Sequence, residues 1–332
     1  MSEKKPIVSI IVPNFNKSSF ILETLTSLKK QSYKYWEAII IDDNSNDDSI
    51  QIIKKFQSTC DNIKLIIPDK KNAGAPYCRN LGIQNSIGKF IIFLDSDDIL
   101  VPTCIESRIN TYLKSPKYDF MVFPCGTFFK KIGDSESAWI PQSKNFLISF
   151  LKHDLKWNIT SVLWKKSALI YLKRFKEDYK KLQDVELHTR ALLSKKLKFK
   201  TYPKNAIDSY YRISDDRMLD SHEVFLNNYV SGVFLYITDI SKKLYNKNQK
   251  QALKGTLFTL SNIINFHFVT GKIDKRNTID FEKNIKSFIL KNRTIFSTYD
   301  IKFFSVYNCL YRMGLWKVKG YNFFMKSLFS LI

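Results

Sequence analysis

An apolar run of five residues, Phe90–Leu94, is followed at once by three carboxylates within four positions, Asp95, Asp97 and Asp98. A short apolar run bounded by polar residues predicts a buried strand. Carboxylates directly after such a strand would lie at the sheet edge where open α/β folds bind ligands. Because close negative charges repel each other, the cluster predicts a divalent cation, Mg²⁺ or Mn²⁺, that holds a substrate diphosphate. The alternative is an acidic turn that caps the next helix.

The first 125 residues alternate between strand-like and helix-like patterns. The predicted strands are Val8–Val12, Glu37–Asp42, Asn62–Ile67, Phe90–Leu94 and Asp119–Phe123. The predicted helices are Ser19–Lys30, Asp48–Gln57, Tyr77–Ser86 and Pro102–Lys114. This order implies βαβ units, and therefore an α/β fold with a mostly parallel sheet flanked by helices.

The second half of the chain is less regular and then becomes helical. Residues 126–220 contain turn residues and two predicted helices, near Asn145–His153 and over Leu182–Ser194. From about Ser221 the pattern is helical, aromatic and basic. We therefore expect a domain over 1–220, with halves at 1–100 and 101–220, and a helical basic extension over 221–332.

Positive charge is concentrated after residue 100. Residues 1–100 contain 13 Lys and Arg against 12 Asp and Glu, a net charge of +1, which leaves +21 of the total +22 for residues 101–332. Such an imbalance suggests an anionic surface or substrate, for which nucleic acid, anionic lipid and phosphorylated carriers all qualify. The alternative is an ordinary solvated surface rich in lysine.

Several classes of protein are disfavoured by the motifs. The five cysteines form no CxxC pair, which favours buried thiols in a reducing compartment over a disulfide framework or a zinc site. No strand is followed by GxGxxG, and Gly82, Gly88 and Lys89 do not form a Walker loop. Met1–Lys5 is polar and leads into a strand, so we expect no signal peptide, and no apolar run suits a membrane span.

The last residues predict a short amphipathic helix. Its apolar face comprises Tyr321, Phe324, Met325, Leu328 and Ile332, and its opposite face comprises Lys319, Asn322, Lys326 and Ser330. Such a helix lies in a membrane interface or packs on the protein core, and both alternatives stay open.

Two further stretches predict polar contacts at strand ends. Asp42 and Asp43 end the second predicted strand, where a carboxylate accepts a hydrogen bond from a base or a ribose, or stabilises a turn. The loop Lys70–Asn80 is small and cationic and opens a helix. Its amides and the Arg79 guanidinium suit a diphosphate.

Four motifs in this order resemble family 2 of the glycosyltransferases, which have the GT-A fold, a Rossmann-like α/β fold. They are Val8–Asn16, Ile41–Ser45, Asn72–Gly74 with Arg79 and Asn80, and Gly88–Asp98. The resemblance is strong over residues 6–105, weaker to about 217 and absent beyond. It implies that residues 1–100 bind a nucleotide-sugar and that residues 101–220 bind the acceptor.

The resemblance also implies roles for single residues. Pro13 and Phe15 would line the nucleoside pocket, and Asp43 would bond the base, usually uracil. Asp95 would lie beside the ribose or sugar. Arg79 would lie near the diphosphate, and Arg212 would close over the donor phosphates. Asp97, with Asp98 beside it, matches the position that binds Mn²⁺ or Mg²⁺.

A general base is implied about 85–100 residues after the metal motif. Asp184 occupies that position in Gln183–Leu187, although the family's usual preceding Glu is Gln183 here. Glu186 is the second choice, and the alternative is that Asp184 merely caps its helix. The QxxRW motif of processive members is missing, since His188–Leu192 retains only the Arg. A single-transfer enzyme is therefore favoured over a polymer synthase.

The resulting hypothesis is an inverting, metal-dependent glycosyltransferase that moves one sugar, most often from a UDP-sugar. The acceptor would be a saccharide or a lipid-linked saccharide in surface glycan synthesis, such as lipooligosaccharide, capsule or O-antigen. We expect a cytoplasmic protein, peripheral on the anionic inner face of the membrane, without nucleic acid. The alternatives are a nucleotidyltransferase, disfavoured because the first loop lacks glycine, and an inactive basic module that binds membrane or nucleic acid.

Overall fold

The computed structural model of the protein describes residues 8–213, 221–321, 324–325 and 329. These residues form two compact units. The first, which we call the sheet unit, comprises residues 8–143, 156–178 and 194–213. The second, which we call the helical unit, comprises residues 144–155, 179–193 and the described residues from 221 onward.

The chain alternates between strands and helices up to residue 213 and is helical afterwards. The strands are β1 (Val8–Asn14), β2 (Trp36–Asp42), β3 (Ile63–Ile66), β4 (Phe90–Phe93), β5 (Ile99–Leu100), β6 (Phe120–Val122), β7 (Cys125–Phe128), β8 (Ala138–Trp139), β9 (Val162–Lys165), β10 (Phe199–Thr201) and β11 (Ser209–Arg212). The helices are α1 (Ser18–Lys29), α2 (Ser49–Gln57), α3 (Ala75–Asn85), α4 (Cys104–Lys114), α5 (Phe146–Leu151), α6 (Lys166–Tyr171), α7 (Gln183–Leu193), α8 (His222–Ser241), α9 (Lys247–Val269), α10 (Lys275–Lys291) and α11 (Thr298–Arg312), with a 3₁₀ turn at Leu315–Lys317.

The main sheet has seven strands in the order β10-β6-β9-β4-β1-β2-β3. Strand β1 pairs in parallel with β2 on one side and β4 on the other, and only β9 among these seven runs antiparallel to its neighbours. All seven residues of β1 are buried, as expected for a strand covered on both faces. The predicted α/β fold with a mostly parallel sheet is confirmed.

A second, four-stranded sheet has the order β5-β11-β7-β8. Its strand β5 directly follows the acidic cluster, and β11 ends at Arg212. Consequently, two distant parts of the sequence, the cluster after β4 and the chain near residue 212, meet within the sheet unit.

The helical unit contains α5 and α7 to α11. Helices α8 and α9 pack on each other, and α5 packs on both α9 and α7. A Cβ atom at Gly255 would lie 3.0 Å from the Lys152 Cα atom, so this glycine permits the close approach of α9 to the end of α5. The predicted 101–220 half is therefore divided, because α5 and α7 bury their apolar residues in the helical unit.

Two residues on the apolar face of the predicted C-terminal helix pack inside the helical unit. Met325 and Phe329 are buried, and the Phe329 ring lies 4.8 Å from Phe303 between centroids. Phe324 is 63% exposed. Leu328, Ile332 and the predicted polar positions Asn322, Lys326 and Ser330 lie outside the described residues. Among the described helices, none is long and apolar enough to cross a bilayer.

Candidate active site

The sheet order brings three predicted motifs to one edge. Because β1 lies between β2 and β4, the carboxyl ends of all three strands are neighbours. Asn14 ends β1, Asp42 ends β2, and Asp95 follows β4. This edge of an open α/β sheet is where ligands bind. The sequence-predicted donor residues are thus brought together by topology.

The end of β1 is fixed to the loop after β2. Asn14 donates a hydrogen bond from Nδ2 to Asp42 Oδ2 at 2.7 Å, and Asp42 accepts two more, from the amide and hydroxyl of Ser45. The Ser45 hydroxyl also accepts the Asn16 amide at 2.9 Å. Asp42 is fully buried, so its function is to hold these two loops in register.

Asp43 fixes a third loop at the same edge. Its two carboxylate oxygens accept the backbone amides of Ala73 and Gly74, at 2.9 and 2.8 Å. Gly74 has φ of +85°, a conformation that favours glycine, and α3 begins at the next residue. Asp43 therefore organises the loop before α3.

Pro13 and Phe15 lie at the same edge. Pro13 is within β1, buried and opposite Ile41 of β2, whereas Phe15 is half-buried just beyond the strand. The proline ring is buried, and the Phe15 ring is the more accessible of the two predicted nucleoside contacts.

Arg79 contacts Asp95 directly. Its Nη2 atom donates to Asp95 Oδ1 at 2.7 Å, and its guanidinium lies over the Phe175 ring at 5.5 Å. Arg79 is buried, while the Asp95 side chain is 27% exposed. The buried arginine therefore orients a carboxylate that remains accessible, and it acts on that carboxylate more directly than the sequence suggested.

Asp97 contacts a cation that sequence reasoning missed. Lys17 Nζ lies 3.1 Å from Asp97 Oδ2, and the Asp97 side chain is only 2% exposed. Lys17 directly precedes α1, and its amide donates to Ser49 Oγ. The buried carboxylate is thereby neutralised by a residue of the β1–α1 loop.

Asp98 has different surroundings from Asp97. It is fully buried, its Oδ1 atom accepts the Arg212 amide at 3.0 Å, and Oδ2 lies 3.5 Å from the Thr160 hydroxyl. Its carbonyl accepts the Thr24 hydroxyl at 2.8 Å. These contacts join the turn after β4 to β11 and α1, so Asp98 has a supporting position here.

Arg212 is enclosed by the same turn. Its Nε atom donates to the Asp97 carbonyl at 2.9 Å, and Glu23 accepts from Nη2. Its guanidinium lies over the rings of Phe128 and Phe20, at 4.3 and 4.9 Å. The side chain predicted to close over phosphates therefore connects β11 to the acidic turn.

A second buried ion pair supports β11 and was also missed. Arg108 donates from Nε and Nη2 to the two oxygens of Asp208, at 2.8 and 2.6 Å, and from Nη1 to the Thr160 carbonyl. Burial opposes the charged form, but the Asp208 carboxylate raises the pKa of Arg108 above its ordinary value. An isolated arginine in a helical pattern gave no sequence signal for this partner 100 residues away.

A hard divalent cation such as Mg²⁺ or Mn²⁺ requires several oxygen ligands. No group of three His, Cys, Asp or Glu side chains within the described ranges is arranged to hold a metal. Asp97 supplies one hard oxygen ligand whose present cationic neighbour is Lys17. The described residues therefore offer one buried carboxylate, Asp97, toward such an ion.

The predicted base lies in the helical unit. Asp184 is half-buried in the first turn of α7, and Leu182, just before the helix, has φ of +64°. Both burial and the nearby Asp184 carboxylate raise the pKa of Tyr229, whose hydroxyl lies 2.8 Å from His153 Nε2. Glu186, the second choice, is fully buried and pairs with Arg190 at 2.6 Å. Asp184 is the more accessible carboxylate.

Comparison with known proteins identifies the family of the chain. The sequence model described as glycosyl transferase family 2 matches residues 9–179. The chain is 27% identical to a poly(ribitol-phosphate) β-N-acetylglucosaminyltransferase, TarP, of Staphylococcus aureus over 86% of this chain and 88% of that protein. It is 36% identical to a UDP-Glc:α-D-GlcNAc-diphosphoundecaprenol β-1,3-glucosyltransferase of Escherichia coli, over 33% of this chain and 42% of that protein.

A solved structure has the same fold. The S. aureus TarS fragment 1–349 in complex with UDP-GlcNAc superposes with a TM-score of 0.63 at 19% identity, covering 86% of this chain and 81% of that chain. Four other relatives are 36–43% identical over 104–110 residues, and the chain spans only 17–44% of their length.

The chain belongs to glycosyl transferase family 2, since the family model matches more than half of it. The GT-A fold and the family that the four motifs predicted are both confirmed.

Proposed function

We propose that the protein transfers one sugar from a UDP-sugar to a saccharide or polymer acceptor in the synthesis of a surface glycan. The observation that carries this proposal is the convergence of Asp43, Asp95 and Asp97 at one sheet edge, each held by a named partner. The names of two relatives, TarP and the glucosyltransferase of E. coli, describe sugar transfer to a polymer and to a lipid-linked saccharide.

The donor would be bound by the sheet unit. Pro13 and Phe15 would contact the nucleoside, and Asp43 would accept the base N–H beside the loop amides it already binds. Asp95, oriented by Arg79, would accept hydroxyl groups of the ribose or the sugar. Preorganised carboxylates of this kind lose little freedom on binding, which favours affinity. UDP is the preferred nucleotide because the TarS fragment was solved with UDP-GlcNAc.

Asp97 would hold Mn²⁺ or Mg²⁺ together with the donor diphosphate. When bound, the ion supplies Lewis-acid stabilisation of the negative charge that develops on the departing nucleoside diphosphate. Lys17, the present partner of Asp97, would give way to the ion, and Arg212 would keep the turn that presents Asp97 in place. Asp98 would act indirectly, by holding β11 against this turn.

Asp184 would act as the general base. It would take the proton from the acceptor hydroxyl as that oxygen attacks the anomeric carbon, and the configuration would invert. A positioned base of this kind contributes about 10²–10⁴-fold to the rate. We propose this role from its place in the sequence and from its accessibility, since Glu186 is fully buried.

We further propose that the protein works at the anionic inner face of the membrane, where lipid-linked acceptors are found. The net charge of +21 over residues 101–332 supports this location, because lysine and arginine near an anionic bilayer each contribute about 1 kcal/mol of attraction.

The test is a thermal-shift panel of UDP, GDP, CDP and dTDP, each with Mn²⁺ and with EDTA. Selective binding to the folded state raises the melting temperature. We expect a shift with UDP that is larger with Mn²⁺, and we expect the Mn²⁺-dependent part to be lost in Asp97→Asn but retained in Asp48→Asn, an exposed carboxylate. A folded protein that responds to no nucleotide would favour the inactive membrane-binding module.

A further inference from the structure

A groove runs between α10 and α11 of the helical unit, with a volume of about 600 Å³. This volume is typical of small-molecule sites, which span about 300–1,000 Å³. We call it the α10/α11 groove. Ile285, Ile289 and Phe304 form a buried apolar floor, and Met313, at 74% exposure, lies among the lining residues.

The charged residues that line the groove are predominantly cationic. Lys283, Lys286 and Arg312 stand against one carboxylate, Glu282. Arg312 uses that carboxylate, since its Nη2 atom lies 2.5 Å from Glu282 Oε1, and Lys283 lies 3.3 Å from Asp280 at the surface. Lys286 makes no ion pair with any residue that the structure describes. The groove therefore combines an apolar floor with an excess of positive charge.

We infer that the α10/α11 groove binds an anionic membrane lipid, with an acyl chain on the aliphatic floor and the phosphate at Lys283 and Lys286. Ile279 and Met313 are exposed where they line the groove, so an apolar chain would cover surface that is now in water. This inference deepens the proposed membrane location and rests on it.

The other candidate for membrane contact is already occupied. The C-terminal segment was predicted to present an apolar face, but Met325 and Phe329 are buried in the helical unit. Phe329 contacts Phe304 at 4.9 Å between ring centroids, and Phe304 is itself part of the groove floor. Phe304 therefore has the buried Phe329 on one side and the groove on the other.

Charge complementarity also favours a lipid over a second copy of the chain as the occupant of the α10/α11 groove. The chain carries a net charge of +22, so a second copy would bring positive charge toward Lys283 and Lys286. A lipid phosphate would bring the complementary charge, and aliphatic side chains such as Ile285 and Ile289 accommodate a flexible acyl chain.

The chain contains a natural reporter for this groove. Cys309 is exposed and lines it, whereas Cys78, Cys104 and Cys125 are buried and Cys60 is half-buried. In a Cys60→Ser background, the rate at which a water-soluble thiol reagent modifies the protein therefore reports access to Cys309. Cys309→Ser, which should abolish the rapid reaction, verifies the assignment.

The experiment compares phosphatidylglycerol vesicles, phosphatidylcholine vesicles and inorganic phosphate. We expect phosphatidylglycerol to slow modification of Cys309 at least tenfold, and the other two to change it less than twofold. Lys283→Glu with Lys286→Glu should remove the protection. The matched control is Lys275→Glu with Lys291→Glu, on the same helix but outside the groove, and it should retain the protection.

Each other result would overturn the inference in a distinct way. A chain that sediments with phosphatidylglycerol vesicles while Cys309 stays fully reactive would keep the membrane location and exclude the groove. If the chain did not sediment with the vesicles at all, both the membrane location and lipid binding in the groove would be wrong. Protection that grows with protein concentration without lipid would identify a second copy as the occupant, and protection by phosphate alone would identify a simple anion site. The UDP shift would be unaffected in every case.

Discussion

The two units differ in how their charges are used. In the sheet unit, the charged residues near the β4 end are paired and mostly buried: Asp95 with Arg79, Asp97 with Lys17 and Asp208 with Arg108. In the helical unit, the pairs Lys254–Asp300 and Arg190–Glu186 are mostly buried between or within helices, and many other cations lie on the surface. The sheet unit therefore has a preorganised polar site, and the helical unit has a diffuse positive surface.

The difference suggests a division of function. A buried charge is costly unless it is paired, and such pairs persist where they position reacting groups. Surface cations cost little and attract anions over about 10 Å at ordinary ionic strength. We therefore expect substitutions in the sheet unit to change donor binding, and substitutions in the helical unit to change acceptor use or location.

The largest effect should come from Asp184→Asn, which would lower the rate of transfer about 10²–10⁴-fold by removing the general base. The UDP-induced thermal shift should be unchanged, because the donor residues are in the sheet unit. Transfer is measured by release of the nucleoside diphosphate in the presence of acceptor. Glu223→Gln, an exposed carboxylate in the first turn of α8, is the control. Near-normal transfer by Asp184→Asn would exclude it as the base.

Asp97→Asn should reduce kcat about 10²–10³-fold, since charge stabilisation of a leaving group by one positioned group is of this size. Unlike Asp184→Asn, it should also abolish the Mn²⁺-dependent part of UDP binding, measured by calorimetry with and without EDTA. If the two variants bound UDP equally well with Mn²⁺, the proposed division would be wrong. In that division the sheet unit binds the donor and Asp184 of the helical unit acts as the base.

Two glycines, one in each unit, allow the functions of the two units to be compared by disturbing the packing of each. A Cβ atom at Gly88 would lie 2.7 Å from the Ser9 amide nitrogen, and one at Gly232 would lie 2.9 Å from the Lys181 carbonyl oxygen. Either change to alanine forces backbone to move and should cost about 1–3 kcal/mol of stability. Gly88→Ala should weaken UDP binding, because it displaces β1 and β4. Gly232→Ala should spare UDP binding and lower transfer, because Lys181 lies just before α7. Loss of the same activity in both variants would argue against separate functions.

The sequence predicted which residues meet at the carboxyl ends of β1, β2 and β4, because the signals for these strands are local. A buried strand followed by carboxylates is recognisable within ten residues, and the positions of Asp43, Asp95 and Asp97 follow from the βαβ order. The ion pairs that support β11 beside this edge are distant in sequence: Arg108 and Asp208 are 100 residues apart, and Glu23 and Arg212 are 189 apart. No local pattern marks such pairs. The membership of α5 and α7 in the helical unit has no local signal for the same reason, since it depends on contacts with α9 and with each other.

Lys17→Met should produce a smaller effect, and it should strengthen Mn²⁺ binding, which Asp97→Asn weakens. The Lys17 ammonium would compete with a metal ion for Asp97, and about 1 kcal/mol of competition corresponds to about fivefold in affinity. Its loss should tighten Mn²⁺ binding up to about fivefold, measured by the electron paramagnetic resonance signal of free Mn²⁺. Lys54→Met, on an exposed position of α2, is the control. Weaker Mn²⁺ binding would show that Lys17 and the metal act together on the diphosphate and do not compete.

An effect on stability alone is an alkaline loss that begins in the sheet unit. Burial raises the pKa of Cys78 and of Cys125 to about 12, from an ordinary value of 9.0, whereas in the helical unit burial raises the pKa of Tyr236 and of Tyr307 above 10.0. Because the unfolded thiols ionise first, the unfolded state binds fewer protons above about pH 9. The free energy of unfolding must then fall with pH, by up to about 1.4 kcal/mol per pH unit for each thiol. Urea unfolding between pH 8 and pH 10 should show this slope, and Cys78→Ala with Cys125→Ala should reduce it. An unchanged slope in that variant would assign the loss to Cys104, whose pKa burial also raises, or to the tyrosines of the helical unit, whose contribution should begin about one pH unit higher.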